Sequence, residues 1–205
     1  MTLAANFSAP HSISRVCVFC GSNSGKSPEY RQRAAELGRA LAERGWGLVY
    51  GGGSVGLMGV VADAVLEAGG NVLGVIPEFL AIRELLHTGL TELQIVPSMH
   101  ARKALMAESC DAFIALPGGF GTFEELLEVI TWGQLGRHRK PVGLLNVRGF
   151  FDRLVEFFDH AIAEGFIRPE HRDLFVVSDD PGILLDLIVN HHLPDVQKWL
   201  TVEES

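Results

Sequence analysis

Short apolar runs alternate along the chain with longer stretches whose apolar positions recur at three- and four-residue intervals, and glycine or proline marks most junctions. The runs predict strands at residues 16–20, 47–50, 71–76, 93–96, 112–116, 141–146 and 174–177. The amphipathic stretches predict helices at 28–44, 56–68, 99–109, 123–135, 150–164 and 182–190, with 77–90 irregular or partly helical. The first helix carries the signals most fully. Pro28 suits its first turn, Ala35, Leu37, Leu41 and Ala42 form its apolar face, and Gly45 ends it. Strands this apolar are covered on both faces, so the expected class is α/β, a doubly wound, Rossmann-like parallel sheet with helices on both faces. One domain is expected over 15–192, after a disordered lead-in at 1–14 and before a tail at 193–205.

Such sheets bind ligands beyond the carboxyl ends of their strands, and three glycine-rich or polar segments fall at that edge. The first, Gly21 to Ser27, is one residue short of a P-loop, which displaces the amides that would wrap a phosphate. The second, Gly51-Gly52-Gly53-Ser54-Val55-Gly56, fits the dinucleotide fingerprint, with Glu78 after the next strand as a ribose-binding acid. It fits equally a tight strand-to-helix turn in which glycines let backbone approach backbone. The third, Pro117-Gly118-Gly119-Phe120-Gly121-Thr122, feeds a helix start and suits a terminal phosphate monoester. Thr122 and Glu125 also read as a capping box, which explains them but not the three glycines before them. Arg102 and Lys103 lie in the first turns of a helix, where cations are disfavoured, so either they reach into solvent or an anion meets them.

The chain has 205 residues, 47% of them hydrophobic and 20% charged, enough for one α/β core and unlike a disordered segment. A net charge of −8 argues against nucleic-acid and anionic-membrane partners, although a local ring of amides can still take a small anion. No apolar run is long enough for a membrane span, and the first dozen residues lack the features of a signal peptide, so a cytoplasmic location is expected. Cys17 and Cys20 are three apart on a strand, point to opposite faces, and read as buried reduced thiols. Cys110 stands apart from them, and His191 and His192 read as surface residues. No metal and no cofactor is expected.

Four motifs in order resemble the LOG family of phosphoribohydrolases, once widely labelled lysine-decarboxylase-like. Its P-G-G-x-G-T-x-x-E is matched in full from Pro117 to Glu125. Its arginine motif resembles Ser98-Met99-His100-Ala101-Arg102-Lys103. Its C-G-S-x-x-G and P-x-Y resemble Cys20 to Gly25 and Pro28 to Tyr30, and its G-G-G-x-x-G-L-M-G resembles Gly51 to Gly59. The resemblance implies a homodimeric enzyme that cleaves the N-glycosidic bond of N6-modified adenosine 5′-monophosphates, and of AMP in some relatives, releasing base and ribose 5-phosphate. It implies catalytic roles for Arg102 and Glu125. It also suggests substrate contacts at Glu84, Lys103, Gly118, Gly119, Phe120, Gly121, Thr122, Phe123, Glu124 and Thr131. Gly21, Ser22, Gly52, Gly53 and Met99 belong to the same motifs and join that set.

Glycosidic cleavage builds positive charge on the ribose, which a carboxylate at Glu125 can stabilise, while Arg102, always charged, positions the substrate. The decarboxylase label conflicts with the chemistry: none of Lys26, Lys103, Lys140 and Lys198 sits in a recognisable pyridoxal-phosphate setting. Two rival readings are a molybdenum-cofactor carrier of the same fold, which would not need Arg102 and Glu125 together, and an NAD-binding oxidoreductase using Gly51 to Gly56.

Overall fold

A computed structural model of the protein describes residues 11–81 and 86–194. Glu84, most of the expected lead-in and most of the expected tail lie outside the described residues. The chain order is β1 (Arg15–Phe19), α1 (Pro28–Glu43), β2 (Gly47–Tyr50), α2 (Gly56–Glu67), β3 (Val72–Pro77), α3 (Glu78–Ala81) and β4 (Glu92–Val96). It continues with α4 (Met99–Glu108), β5 (Ala112–Ala115), α5 (Phe120–Gln134), β6 (Val142–Leu145), α6 (Asp152–Ala163), β7 (Phe175–Ser178) and α7 (Pro181–Asn190).

All pairings are parallel and the strand order is β4-β3-β2-β1-β5-β6-β7. Side chains alternate across each strand, and the alternation builds two cores. Val16, Val18, Leu48, Tyr50 and Ile114 pack with α1, α2 and α7. Cys17, Phe19, Val49, Phe113 and Leu144 pack with α4, α5 and α6. The doubly wound class is therefore present, with one departure: the edge strand β4 leaves Leu93 and Ile95 exposed instead of buried on both faces. Within the expected lead-in, His11 donates its backbone N–H to Val189, Ile13 is buried, and both the N–H and the hydroxyl of Ser14 bond Asp111.

The sheet grows outward from β1 in one direction through β2, β3 and β4, then resumes on its other side with β5. This reversal opens a crevice beyond the carboxyl ends of β1 and β5, between the loops that follow them.

Candidate active site

The two loops are tied before any ligand is considered. Leu116 N–H donates to Phe19 O (2.9 Å), Gly21 N–H to Pro117 O (3.1 Å) and Leu57 N–H to Gly21 O (3.0 Å). Between them lies a cavity of about 290 Å³, lined by Ser22, Asn23, Gly118 and Gly119, with Tyr30 and Phe150 as an aromatic wall. The rings of Tyr30 and Phe150 meet edge to face, and Phe123 stacks on Phe150 at 6.2 Å.

The helix after the second loop starts earlier than the sequence predicts. α5 begins at Phe120, with Gly119 as its cap and no side-chain cap bond, and Phe123 N–H already donates to Gly119 O. The capping-box reading is thus corrected: Thr122 and Glu125 both lie inside the helix, and Thr122 is buried. The first N–H groups of α5 consequently have no intrahelical acceptor, and the positive end of the helix faces the crevice. A side chain added at Gly119 or Gly121 would meet nothing within 4 Å, so the protein's own packing does not require glycine at either position.

Arg102 and Glu125 approach from the opposite face of the sheet, on α4 and α5, and neither lines that cavity. Ser98 caps α4, its hydroxyl accepting from Ala101 N–H, and this sets Arg102 one turn into the helix. The guanidinium Nη2 lies 3.7 Å from Glu125 Oε1, and each side chain is only 11% exposed. Its Nη1 has the Met99 sulfur at 3.8 Å, and its buried Nε has no partner among the described residues. A fixed cation with five donors is therefore short of acceptors, a costly state that an anion or a pair of hydroxyls relieves. Gly51 walls the other side, where a side chain would run into Nη2. Gly56, at φ +64°, would run into the Ser22 backbone. The glycines at 51 and 56 thus serve close packing around Arg102 and Ser22, as the tight-turn reading requires.

Burial pushes the Glu125 carboxyl up to about 7; Arg102 opposes that rise and Glu124 adds to it. Lys103 bonds Glu124 (2.5 Å) and Glu128 (2.9 Å). Burial works against its charge, but these bonds outweigh it and hold the ammonium above its ordinary value. Of the two cations at the start of α4, Lys103 is clasped by two carboxylates at hydrogen-bond distance, whereas Arg102 has, among the described residues, a single carboxylate at 3.7 Å.

The remaining expected residues divide. Gly21, Ser22, Gly118 and Gly119 meet at the cavity, and Met99 touches Arg102. Gly52 and Gly53 are buried and bond the segment carrying Leu86 and His87. Phe120 is 93% exposed. Thr131 is not brought to the site: it sits roughly 16 Å along α5 from Phe120 at 1.5 Å per residue. There its hydroxyl donates to Leu127 O, beside an apolar groove. Phe150 and His87 were missed, since an aromatic after a strand and a lone histidine in an irregular stretch carry no motif.

Cys17 and Cys20 are buried in opposite cores as free thiols, and burial raises both. Cys110 does not stand apart, since it adjoins Cys17. His191 is half-buried, its backbone O accepting from His11 and its ring bonding Asp173 O.

The chain matches the family described as "Possible lysine decarboxylase" over residues 58–188. It is 60% identical over 162 residues to a cytokinin riboside 5′-monophosphate phosphoribohydrolase of Arabidopsis thaliana, covering 79% of this chain and 75% of the relative. It is 50% identical over 191 residues to the enzyme of that name from Oryza sativa subsp. japonica, covering 93% and 78%. Among solved structures, the molybdenum cofactor carrier protein of Chlamydomonas reinhardtii superposes with a TM-score of 0.64 at 24% identity, covering 85% of this chain and 95% of that one. That likeness is one of fold. The identity to the plant enzymes extends over most of both chains, and the chain belongs to the LOG family of cytokinin riboside 5′-monophosphate phosphoribohydrolases.

Proposed function

We propose that this protein hydrolyses the N-glycosidic bond of N6-modified adenosine 5′-monophosphates, releasing the free base and ribose 5-phosphate. The reading rests on 50–60% identity to enzymes of that name, and one observation carries it at the site: a buried arginine short of acceptors faces a buried carboxyl beside an uncapped helix start. The phosphate is held by the N–H groups at 119–122 and the Gly21–Ser22 turn. Arg102 holds the ribose or the inner phosphate oxygens. As the C1′–N9 bond breaks, its electron pair leaves with the base and positive charge gathers on the ribose, where an ionised Glu125 stabilises it. Water adds to C1′, its proton passing to Glu125 and onward to the base. No residue in this scheme needs a metal.

Pyridoxal-type decarboxylation fits the lysines poorly. Lys103 is clasped by two carboxylates, and Lys140 donates to Ala107 O. A carrier without turnover has no use for a buried arginine–carboxyl pair. The protein acts in the cytoplasm as a homodimer; no helix among the described residues is long and apolar enough to cross a membrane. Thr131 can meet substrate only if a second copy brings its own glycine loop to the outer face of α5.

Purified protein incubated with AMP, N6-substituted AMP and the corresponding nucleosides, with free base read by chromatography, tests the reading. The N6-substituted monophosphate should be cleaved with the highest kcat/KM and the nucleosides hardly at all. Equal kcat/KM for nucleoside and monophosphate would remove the phosphate cradle from the account, and binding without release of base would favour the carrier.

A further inference from the structure

Arg102 is fixed by walls more than by bonds, so whatever holds the walls holds the arginine. Among the described residues, its guanidinium has a 3.7 Å approach to Glu125 and a 3.8 Å approach to a thioether sulfur, while the backbone of Gly51 blocks its other side. The glycine loop at 51–53 is in turn fastened from outside. His87 N–H donates to Gly52 O (3.2 Å), and Gly53 and Leu86 form an antiparallel bridge. The His87 ring, 11% exposed, has Nε2 at 2.9 Å from Asp63 Oδ1 on α2. Its Nδ1 accepts from Gly89 N–H at 3.2 Å, which leaves the ring proton on Nε2, donated to Asp63.

From these contacts we infer that His87, anchored by Asp63, is a positioning residue for Arg102, acting through the backbone of the glycine loop at 51–53. The inference rests on the role proposed above for Arg102 and names a device no motif contains. Cutting the anchor frees the segment 86–89 to drift, the loop relaxes with it, and the guanidinium loses its back wall. A displacement of about 1 Å in a positioning group can lower a rate by roughly a hundredfold.

A residue that merely staples a loop would change the melting temperature and little else, so the test reads the pH profile. Among the described residues, Glu125 is faced by Arg102, Glu124, Lys103, Glu128 and the buried thiols Cys17 and Cys20, and none of these is replaced by a change at His87 or Asp63. If Arg102 retreats, it opposes the burial of Glu125 less, and the acid limb of kcat/KM moves to higher pH. His87→Ala should fold, lose roughly ten- to a hundredfold in kcat/KM, and shift that limb upward by about half a pH unit. Asp63→Asn keeps an acceptor for Nε2 and should behave as wild type. Should His87→Ala fail to fold, Asp63→Ala leaves the ring and backbone bonds in place and should show the same shift. A folded His87→Ala or Asp63→Ala protein with the wild-type limb and kcat/KM overturns the inference and leaves a staple. Wild-type turnover in a folded Arg102→Ala protein would overturn instead the site reading on which it rests.

Discussion

Among the described residues an ionised Glu125 has Arg102 against it at 3.7 Å, and burial still outweighs that attraction, so the carboxyl is pushed up to about 7 from the usual 4.5. A carboxyl raised on folding stabilises the fold while protonated. That contribution is complete below about 4.5 and is lost as pH climbs through about 7. At pH 8 the folded protein holds a buried carboxylate at a cost of roughly 3 kcal/mol. Glutamine mimics the protonated form, so Glu125→Gln should be more stable than wild type at pH 8, with the difference shrinking toward pH 5 in paired thermal melts. The same variant should lose roughly a hundredfold or more in kcat, the scale of one electrostatic stabiliser. The wild-type rate should rise with pH through about 7 as the carboxylate forms. A folded Glu125→Gln protein with near-wild-type turnover would move the chemistry to Glu84 or to Glu124, which is 54% exposed and tied to Lys103.

At the start of α5, a side-chain pattern and a backbone pattern competed, and the backbone won. Thr122 and Glu125 have the spacing of a capping box, and a helix start read from side chains falls there. The structure starts the helix at Phe120, because Gly118 lets Thr122 fold back against it: a side chain at 118 would strike the Thr122 hydroxyl and the Gly21 N–H. Thr122 is local to Gly118, but the close approach of Gly118 to the Gly21 N–H joins two loops far apart in the sequence and no local reading contains it, whereas the strands and most helix ends were legible from period and punctuation. The two glycines can be told apart. Gly118→Ala forces a clash and should lower stability by about 1–3 kcal/mol. Gly119 has extended backbone (φ −100°, ψ −156°) and open space around it, so Gly119→Ala should melt at or slightly above wild type. If the opening serves a phosphate, Gly119→Ala should nonetheless raise KM by roughly tenfold or more, equivalent to about 1.4 kcal/mol of binding. An unchanged KM would leave the glycine without a function. Thr122→Ala, in turn, should weaken packing against Gly118 and not a helix cap.

At the scale of the whole molecule, the buried strands made the parallel sheet legible, and the order of the loops placed the crevice at the right edge. What one sequence could not supply was the use of the outer surface. Leu127 on α5, Leu135 just past its end, Phe157 on α6 and the following Phe166 are each more than 40% exposed. Leu127, Ile130 and Thr131 line a groove of about 110 Å³ with Phe158. An apolar face of this kind on an acidic protein is better covered than left in water. If Thr131 contacts substrate, a second copy must bring its glycine loop to that face, because the loop of its own chain is roughly 16 Å away along the helix. Light scattering at micromolar concentration should give about twice the 22.3 kDa of one chain. Leu127→Glu places a charge in the proposed interface without touching Arg102, Glu125 or the glycine loops. It should therefore yield a folded monomer that loses most of its activity. A wild-type mass of 22.3 kDa would contradict the dimer, whereas a monomeric, fully active Leu127→Glu protein would show that each chain completes its own site and that Thr131 takes no part in it.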